Sequence, residues 1–202
     1  GYRLGFSPRQ VYMQKYRWPA LVGLLFSVSA VFAAPDPDFL RFSHDESLAW
    51  SQAAIGTTVQ GIALVKSDGT PVSLQDYRGK PLVISMIFSS CHHVCPSTTQ
   101  YLQQVVKKAR AVLKEDSFQV VSIGFDTAND SPERMAEFRT NAGVMDAHWD
   151  FLSGDATNMA ALVRQLGFIY TPSPRGFDHL IQASIVAADG AVTVLKQSTP
   201  LK

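Results

Sequence analysis

Residues 81–100 read PLVISMIFSSCHHVCPSTTQ, and the reading of this stretch decides the fold. The first eight are an unbroken apolar run rich in β-branched side chains, the pattern of a strand buried on both faces of a sheet. After the loop come residues 101–114, YLQQVVKKARAVLK. There Leu102, Val105, Val106, Ala109, Val112 and Leu113 recur at intervals of three and four, which predicts an amphipathic helix. A buried strand that passes into a helix through a loop containing Cys91 and Cys95 sets both sulfurs at the carboxyl end of a strand. In open α/β sheets that is where ligands collect.

The position matters chemically. A helix N-terminus presents unpaired N–H groups and the positive end of the helix dipole, which favours thiolate over thiol. With Cys95 in the first turn, Cys91 lies in the preceding loop and folds over it, so that two sulfurs point at one spot. Pro96 suits the first turn, where a missing N–H is harmless. Two thiolates form a soft site that favours Cu(I) and, less selectively, zinc. Zinc takes four ligands, for which His92 and His93 are the nearby candidates. Redox pairs also use close cysteines. A structural disulfide is the bland alternative, although so short a loop restrains the unfolded chain little.

Working outward, residues 59–66 (VQGIALVK) and 71–74 read as strands joined by the Ser67-Asp68-Gly69 turn. Residues 118–124 (FQVVSIG) predict a second buried strand. Ser131 is placed to cap a helix with Pro132 at its first position, and Asp155 caps another that ends near Gly167. A loop with Pro172, Pro174 and Gly176 leads to a strand at 180–187, and Asp189-Gly190 turns the chain into a last strand at 191–195. The order β-β-β-α-β-α-α-β-β predicts an α/β protein: a thioredoxin-like sheet flanked by helices, with an N-terminal β-hairpin extension and an inserted helix. About seven residues follow residue 195, where folds of this kind usually place a final helix.

In such a sheet the start of the 180–187 strand faces the cysteine loop, and redox members of the fold place a cis-proline there. Here the place is taken by Asp178-His179-Leu180, and the nearest proline is Pro174. His179 is therefore expected as a third ligand beside Cys91 and Cys95, with Asp178 behind it as an orienting group. His92 and His93 are more often solvent-exposed loop residues than auxiliary ligands. His44 and His148 read as surface or packing residues, Asp126 as a turn former, and Met135 and Met159 as helix core.

The N-terminus reads as an address. Residues 18–34, WPALVGLLFSVSAVFAA, carry no charge, follow Lys15 and Arg17, and include Val31-Phe32-Ala33 in a small-x-small pattern. This is the form of a secretory signal. The stretch is a few residues short of the roughly 20 that span a bilayer, so cleavage near Ala33 is expected rather than retention as an anchor. No cysteine follows that could carry a lipid, and a start at Met13 would give the signal ordinary proportions. The expected division is a signal or anchor at 1–34, a linker at 35–55 with a short helix near Glu46–Ala54, and the copper-binding domain at 56–202. Export puts the CxxxC pair in the periplasm, an oxidising compartment.

Composition narrows the choices. The chain has 202 residues, 46% hydrophobic and only 17% charged, with a formal net charge of +1. That suits one domain with a real core. There is no basic field to hold nucleic acid, and the five methionines are scattered rather than gathered into a copper-carrying tract.

Taken together the motifs resemble the Sco/SenC family of copper-binding proteins. The matching pieces are Pro81 to Phe88 after Gly79-Lys80; Ser90-Cys91-His92-His93-Val94-Cys95-Pro96; Ser122-Ile123-Gly124-Phe125-Asp126 with Asp130-Ser131-Pro132-Glu133; and Asp178-His179 before a strand ending in Asp189-Gly190. The resemblance implies copper ligation by Cys91, Cys95 and His179, as Cu(I) and also as Cu(II). It also implies delivery to the CuA-bearing, copper-receiving subunit of cytochrome c oxidase. Another periplasmic copper carrier or a thiol reductant would be a further partner, and residues 18–34 would give any membrane association. Binding and transfer without turnover is the expected role. The alternative is a thiol–disulfide oxidoreductase that keeps the oxidase subunit's cysteines reduced, with Cys91 and Cys95 as its catalytic pair. A peroxidase is disfavoured, because Ser89-Ser90 does not supply the Thr those enzymes place before the reactive Cys.

Overall fold

The computed structural model describes residues 43–198. The N-terminal signal or anchor, Met13 and the first part of the expected linker lie outside the described residues. The chain runs α1 (His44–Ala53), β1 (Ala63–Lys66), β2 (Pro71–Ser73), a 3-10 turn (Leu74–Tyr77), β3 (Leu82–Ile87), α2 (Val94–Leu113) and β4 (Gln119–Gly124). It continues with α3 (Pro132–Asn141), β5 (Trp149–Ser153), α4 (Ala156–Gln165), β6 (Tyr170–Ser173), β7 (Gly176–His179), β8 (Ile181–Val186) and β9 (Val192–Ser198).

Seven strands form one mixed sheet in the order β2-β1-β5-β4-β3-β8-β9. β3 lies parallel to β4 and antiparallel to β8. Five of its six residues are buried, as a continuous apolar run in mid-sheet must be. The expected β1–β2 hairpin is present at one edge, paired Ala63↔Ser73, and the closing β8–β9 hairpin forms the other. The predicted caps hold: the Ser131 hydroxyl accepts from the Arg134 N–H with Pro132 at the first helical position, and Asp155 accepts from the Asn158 N–H. Residues 44–53 form the expected short helix, and it packs closely on Gly167. A methyl group on that glycine would meet the Ser51 Cα at 2.6 Å.

The structure corrects the expected order in two places. The stretch between α3 and α4 holds a fifth strand. β5 runs parallel to β4 and antiparallel to β1, so the N-terminal hairpin joins the sheet through β5. Trp149, Phe151 and Leu152 are fully buried in it, and the Trp149 indole N–H donates to the Ser122 hydroxyl at 3.0 Å. The segment expected as a loop before His179 is a separate two-stranded hairpin, β6–β7, with Tyr170 opposite His179. A third difference concerns α2. Only Val106 of its apolar positions is deeply buried, while Val105, Val112 and Leu113 are exposed. Val105 and Leu113 border an open apolar groove between α2 and strands β3 and β8.

Candidate metal centre

The cysteine loop spans the end of β3 and the start of α2. The Cys91 N–H donates to the Phe88 carbonyl at 3.2 Å, which turns the chain back over the strand end. α2 has no acidic residue in its first turn, and His93 at its N-cap makes no side-chain cap. The Cys91 sulfur fills that role: the Cys95 N–H points at it over 3.3 Å. A helix N-terminus leaves about four such N–H groups without intrahelical partners, and a thiolate satisfies one as a carboxylate would.

The electrostatics follow from this geometry. The Cys95 thiol donating to it, with the backbone N–H groups of Cys95, His93 and Val94, holds the Cys91 thiol down at about 5, against the upward push of partial burial. The same hydrogen bond pushes the Cys95 thiol up, and burial and the charges of Cys91 and Asp130 add to it. The two sulfurs are therefore unlike. Cys91 is half-buried and favours the thiolate, whereas Cys95 is buried and keeps its proton.

His179 ends β7. Its Nδ1 lies 2.8 Å from the Leu180 carbonyl. A carbonyl can only accept, so Nδ1 carries the proton and the Nε2 lone pair is left for a ligand. Burial holds the imidazole below its ordinary pKa, against the opposing pull of the Leu180 hydrogen bond and the Cys91 and Asp178 charges. The ring sits among Phe88, Phe125 and Phe168, with centroids 5.9, 5.3 and 5.6 Å away. Phe88 thus contacts the imidazole with its ring while its carbonyl holds the Cys91 backbone. Asp178, expected as the orienting group, is exposed, and the Leu180 carbonyl holds the ring instead.

The structure brings Cys91 and Cys95 together and sets His179 within electrostatic reach of Cys91. Among the described residues no three His, Cys, Asp or Glu side chains converge as a closed metal cage. His92 and His93 are exposed. Asp126 is the turn former expected: its carbonyl accepts from the Asn129 and Asp130 N–H groups, and its carboxylate from the Asn129 amide.

One important residue carried no separate reading in the sequence. Asp130 is 2% exposed. Its carboxylate accepts from the Ser89 N–H at 2.8 Å and the Asp126 N–H at 2.9 Å, so it ties the loop after β3 to the loop after β4. Burial raises its pKa despite those hydrogen bonds, and the Asp126 charge adds to the rise. Gly124 makes room for it, since a methyl group there would meet the Asp130 Cβ at 2.5 Å. Gly124 in a strand end followed by an acid before Ser131-Pro132 was the available signal, because a glycine in a strand often marks a close approach.

Comparison with known proteins gives a consistent answer. The SCO1/SenC family model matches residues 54–199. The chain is 28% identical over 138 residues to the SCO1 protein homolog of Bacillus subtilis, covering 66% of this chain and 70% of that one. It is 29% identical over 154 residues to the mitochondrial SCO2 homolog of Mus musculus, covering 72% of this chain and 57% of that one. Among solved structures, a putative electron transfer protein from Aquifex aeolicus superposes with a TM-score of 0.66 at 24% identity, over 73% of this chain and 87% of that one. The copper-bound ScoI of Bradyrhizobium japonicum gives 0.59 at 22% identity, over 70% and 88%. At these identities the structural likeness establishes the fold, which is thioredoxin-like.

Proposed function

The chain belongs to the SCO1/SenC family, and from that premise we propose that it binds one copper ion through Cys91, Cys95 and His179 and delivers it to the CuA site of cytochrome c oxidase. The observation that carries the reading is the pairing of a thiolate-favouring Cys91 with Cys95 in the first turn of α2 and a neutral, half-buried imidazole nearby. Two sulfurs and one nitrogen are a soft donor set suited to Cu(I). Relatives give the cargo its support: the Bradyrhizobium and yeast neighbours are described as copper-bound, and a Stutzerimonas stutzeri relative is named a putative copper-binding protein. A further structural neighbour, BsSco, is described as a member of the Sco family of cytochrome c oxidase assembly proteins. An arrangement short of a closed cage suits a carrier, which must release what it binds. Metal binding then draws His179 and the cysteine loop together.

The working compartment in this reading is extracytoplasmic. Residues 18–34 serve as signal or anchor, 35–55 as linker and 56–202 as the functional domain. A neighbour from Bacillus anthracis is described as a lipoprotein. Among the described residues no helix is long and apolar enough to cross a membrane.

The test is copper stoichiometry. The reduced chain is titrated anaerobically with Cu(I) against a competing chelator, alongside His179→Ala. One tightly held copper per chain, retained less well by the variant, is the expected result. Equal retention by His179→Ala would remove His179 from the ligand set. Thiol–disulfide exchange, the other chemistry open to this pair, predicts instead sustained disulfide-reductase turnover that does not depend on His179.

A further inference from the structure

α2 carries more apolar surface than the sheet covers. Cys95, Thr99 and Val106 are buried in the core. A second stripe on the same helix runs Val94, Thr98, Tyr101, Val105, Lys108 and Val112, at successive spacings of four, three, four, three and four. At 3.6 residues per turn these six positions fall within an arc of about 80° and extend over roughly 27 Å. Alternation of three and four is the spacing of a helix–helix seam. The four large apolar members of the stripe are open to solvent: Val94 is 39% exposed, Tyr101 68%, Val105 43% and Val112 83%. Thr98, Tyr101 and Val105 also form one lip of the apolar groove beside α2.

The stripe reads alike in both directions. Reversed about its midpoint, between Tyr101 and Val105, it sets Val94 against Val112, Thr98 against Lys108 and Tyr101 against Val105. Apolar positions meet apolar ones, and the one charged member meets a hydroxyl. A two-fold contact between identical helices requires this, because every pair occurs twice with its roles exchanged. Net charge does not oppose such a contact, since the chain carries only +1. The area is also sufficient. The exposed side chains of the stripe and the lip of the groove offer roughly 500–700 Å² per protomer, so a pair buries on the order of 1,000–1,400 Å², enough for a specific but weak interface.

We propose that α2 is a homodimerisation surface, on which a second copy of this chain packs its own α2 antiparallel along the stripe from Val94 to Val112. Val94 of one protomer then meets the partner's Val112, so the two cysteine loops lie at opposite ends of the seam and are not bridged by the contact. The proposal is independent of the copper-carrier reading, and the failure of either leaves the other standing.

Sedimentation equilibrium of the reduced full-length chain, over a concentration series that brackets the micromolar range, tests it. The expected result is a monomer–dimer equilibrium with a dissociation constant on the order of 10 μM. Tyr101→Glu, at a well-exposed position, should weaken the dimer about a hundredfold, because an aromatic anchor is lost twice in a two-fold contact. Thr98→Lys places like charges opposite the partner's Lys108, again twice, and should weaken it about tenfold. Adding Lys108→Glu to Thr98→Lys turns both pairs into opposite charges and should restore the parent affinity or better it. A chain that stays monomeric throughout overturns the proposal. Self-association that Tyr101→Glu leaves unchanged also overturns it, because the contact then lies elsewhere. A loss in Thr98→Lys that Lys108→Glu does not reverse overturns the antiparallel register on which the proposal stands.

Discussion

Removing the Asp130 carboxylate should loosen both loops that shape the site. In Asp130→Ala two backbone donors, the Ser89 and Asp126 N–H groups, lose their acceptor together. A buried donor left unsatisfied costs about 1–3 kcal/mol. Part of this is returned, because the variant no longer buries a carboxylate whose pKa burial has raised. The net expectation is a loss of about 2–4 kcal/mol, a large share of the 5–15 kcal/mol that holds a typical domain together. Asp130→Asn leaves one oxygen acceptor but turns an NH2 group toward the other N–H, so it should lose about half as much. Gly124→Ala reaches the same contact from the opposite side, because its methyl group would occupy space 2.5–2.8 Å from Asp130 atoms. Overpacking of this kind typically costs about 1–3 kcal/mol. Equilibrium urea unfolding of the reduced proteins at neutral pH measures all three. A midpoint for Asp130→Ala equivalent to less than about 0.5 kcal/mol would refute the clamp, since surface substitutions reach that much. The pH dependence checks the sign independently. A carboxylate with a raised folded pKa binds its proton more tightly when folded, so its contribution to stability falls as pH rises from the unfolded value through the folded one. Asp130→Asn should abolish that downward component.

Other outcomes follow from the same geometry. Iodoacetamide should alkylate Cys91 of the reduced chain at a rate that holds until the pH drops toward about 5, where the thiolate is lost, while Cys95 stays unmodified at neutral pH. The depressed Cys91 pKa also contributes stability that is fully present above the unfolded thiol's value and lost as pH falls through about 5, a component that Cys91→Ala removes. His179 has a depressed folded pKa and works in the same direction, so His179→Gln should flatten part of the acid-side loss of stability below the unfolded value of 6.5. Gly176→Ala should cost about 1–3 kcal/mol and weaken retention of Cu(I): the residue sits at φ +110°, and its new methyl group would lie 2.8 Å from the Phe88 ring on which the His179 hairpin packs. Thermal melts and chelator competition on the same variant read both effects.

Much of the fold was legible because its signals are local. The apolar run at 81–88, the periodicity of 101–114, and the Ser131-Pro132 and Asp155 caps each point to one local structure, and each is found, with α2 beginning earlier, at Val94. β5 was missed because WDFLS is short. The alternation of buried Trp149 and Phe151 about the half-buried Asp150 was its only mark. The β6–β7 hairpin was hidden by Pro172 and Pro174, which normally speak against strands. They are tolerated here because the hairpin is a separate two-stranded unit with no central ladder to interrupt. At the site, the cysteines and His179 could be picked out by residue type. What held them could not, because the Leu180 carbonyl and the Phe88 backbone are main-chain groups that every sequence contains. Asp130 was visible only as part of a cap-like stretch, and its contacts reach 41 residues along the chain to Ser89.

The inequality of the two sulfurs bears on the order of events if copper is the cargo. A metal held by two identical exposed thiolates could leave by either. Here Cys95 is buried, protonated in the reduced protein and backed by the Asp130 charge, so binding copper there must expel a proton into a region that already disfavours negative charge. Cys91 has no such penalty, since the first turn of α2 already supports its thiolate. Copper should therefore meet Cys91 first on arrival and engage Cys95 second, with proton release. On departure the order turns on what replaces the bond. Reprotonation of Cys95 favours breaking its copper bond early, which leaves the metal on the half-buried sulfur, the one an incoming donor can reach. A carrier with equal thiols would have no preferred exit. The hydrogen bond between the two sulfurs and the burial of Cys95 set that difference, with the Asp130 charge adding to it.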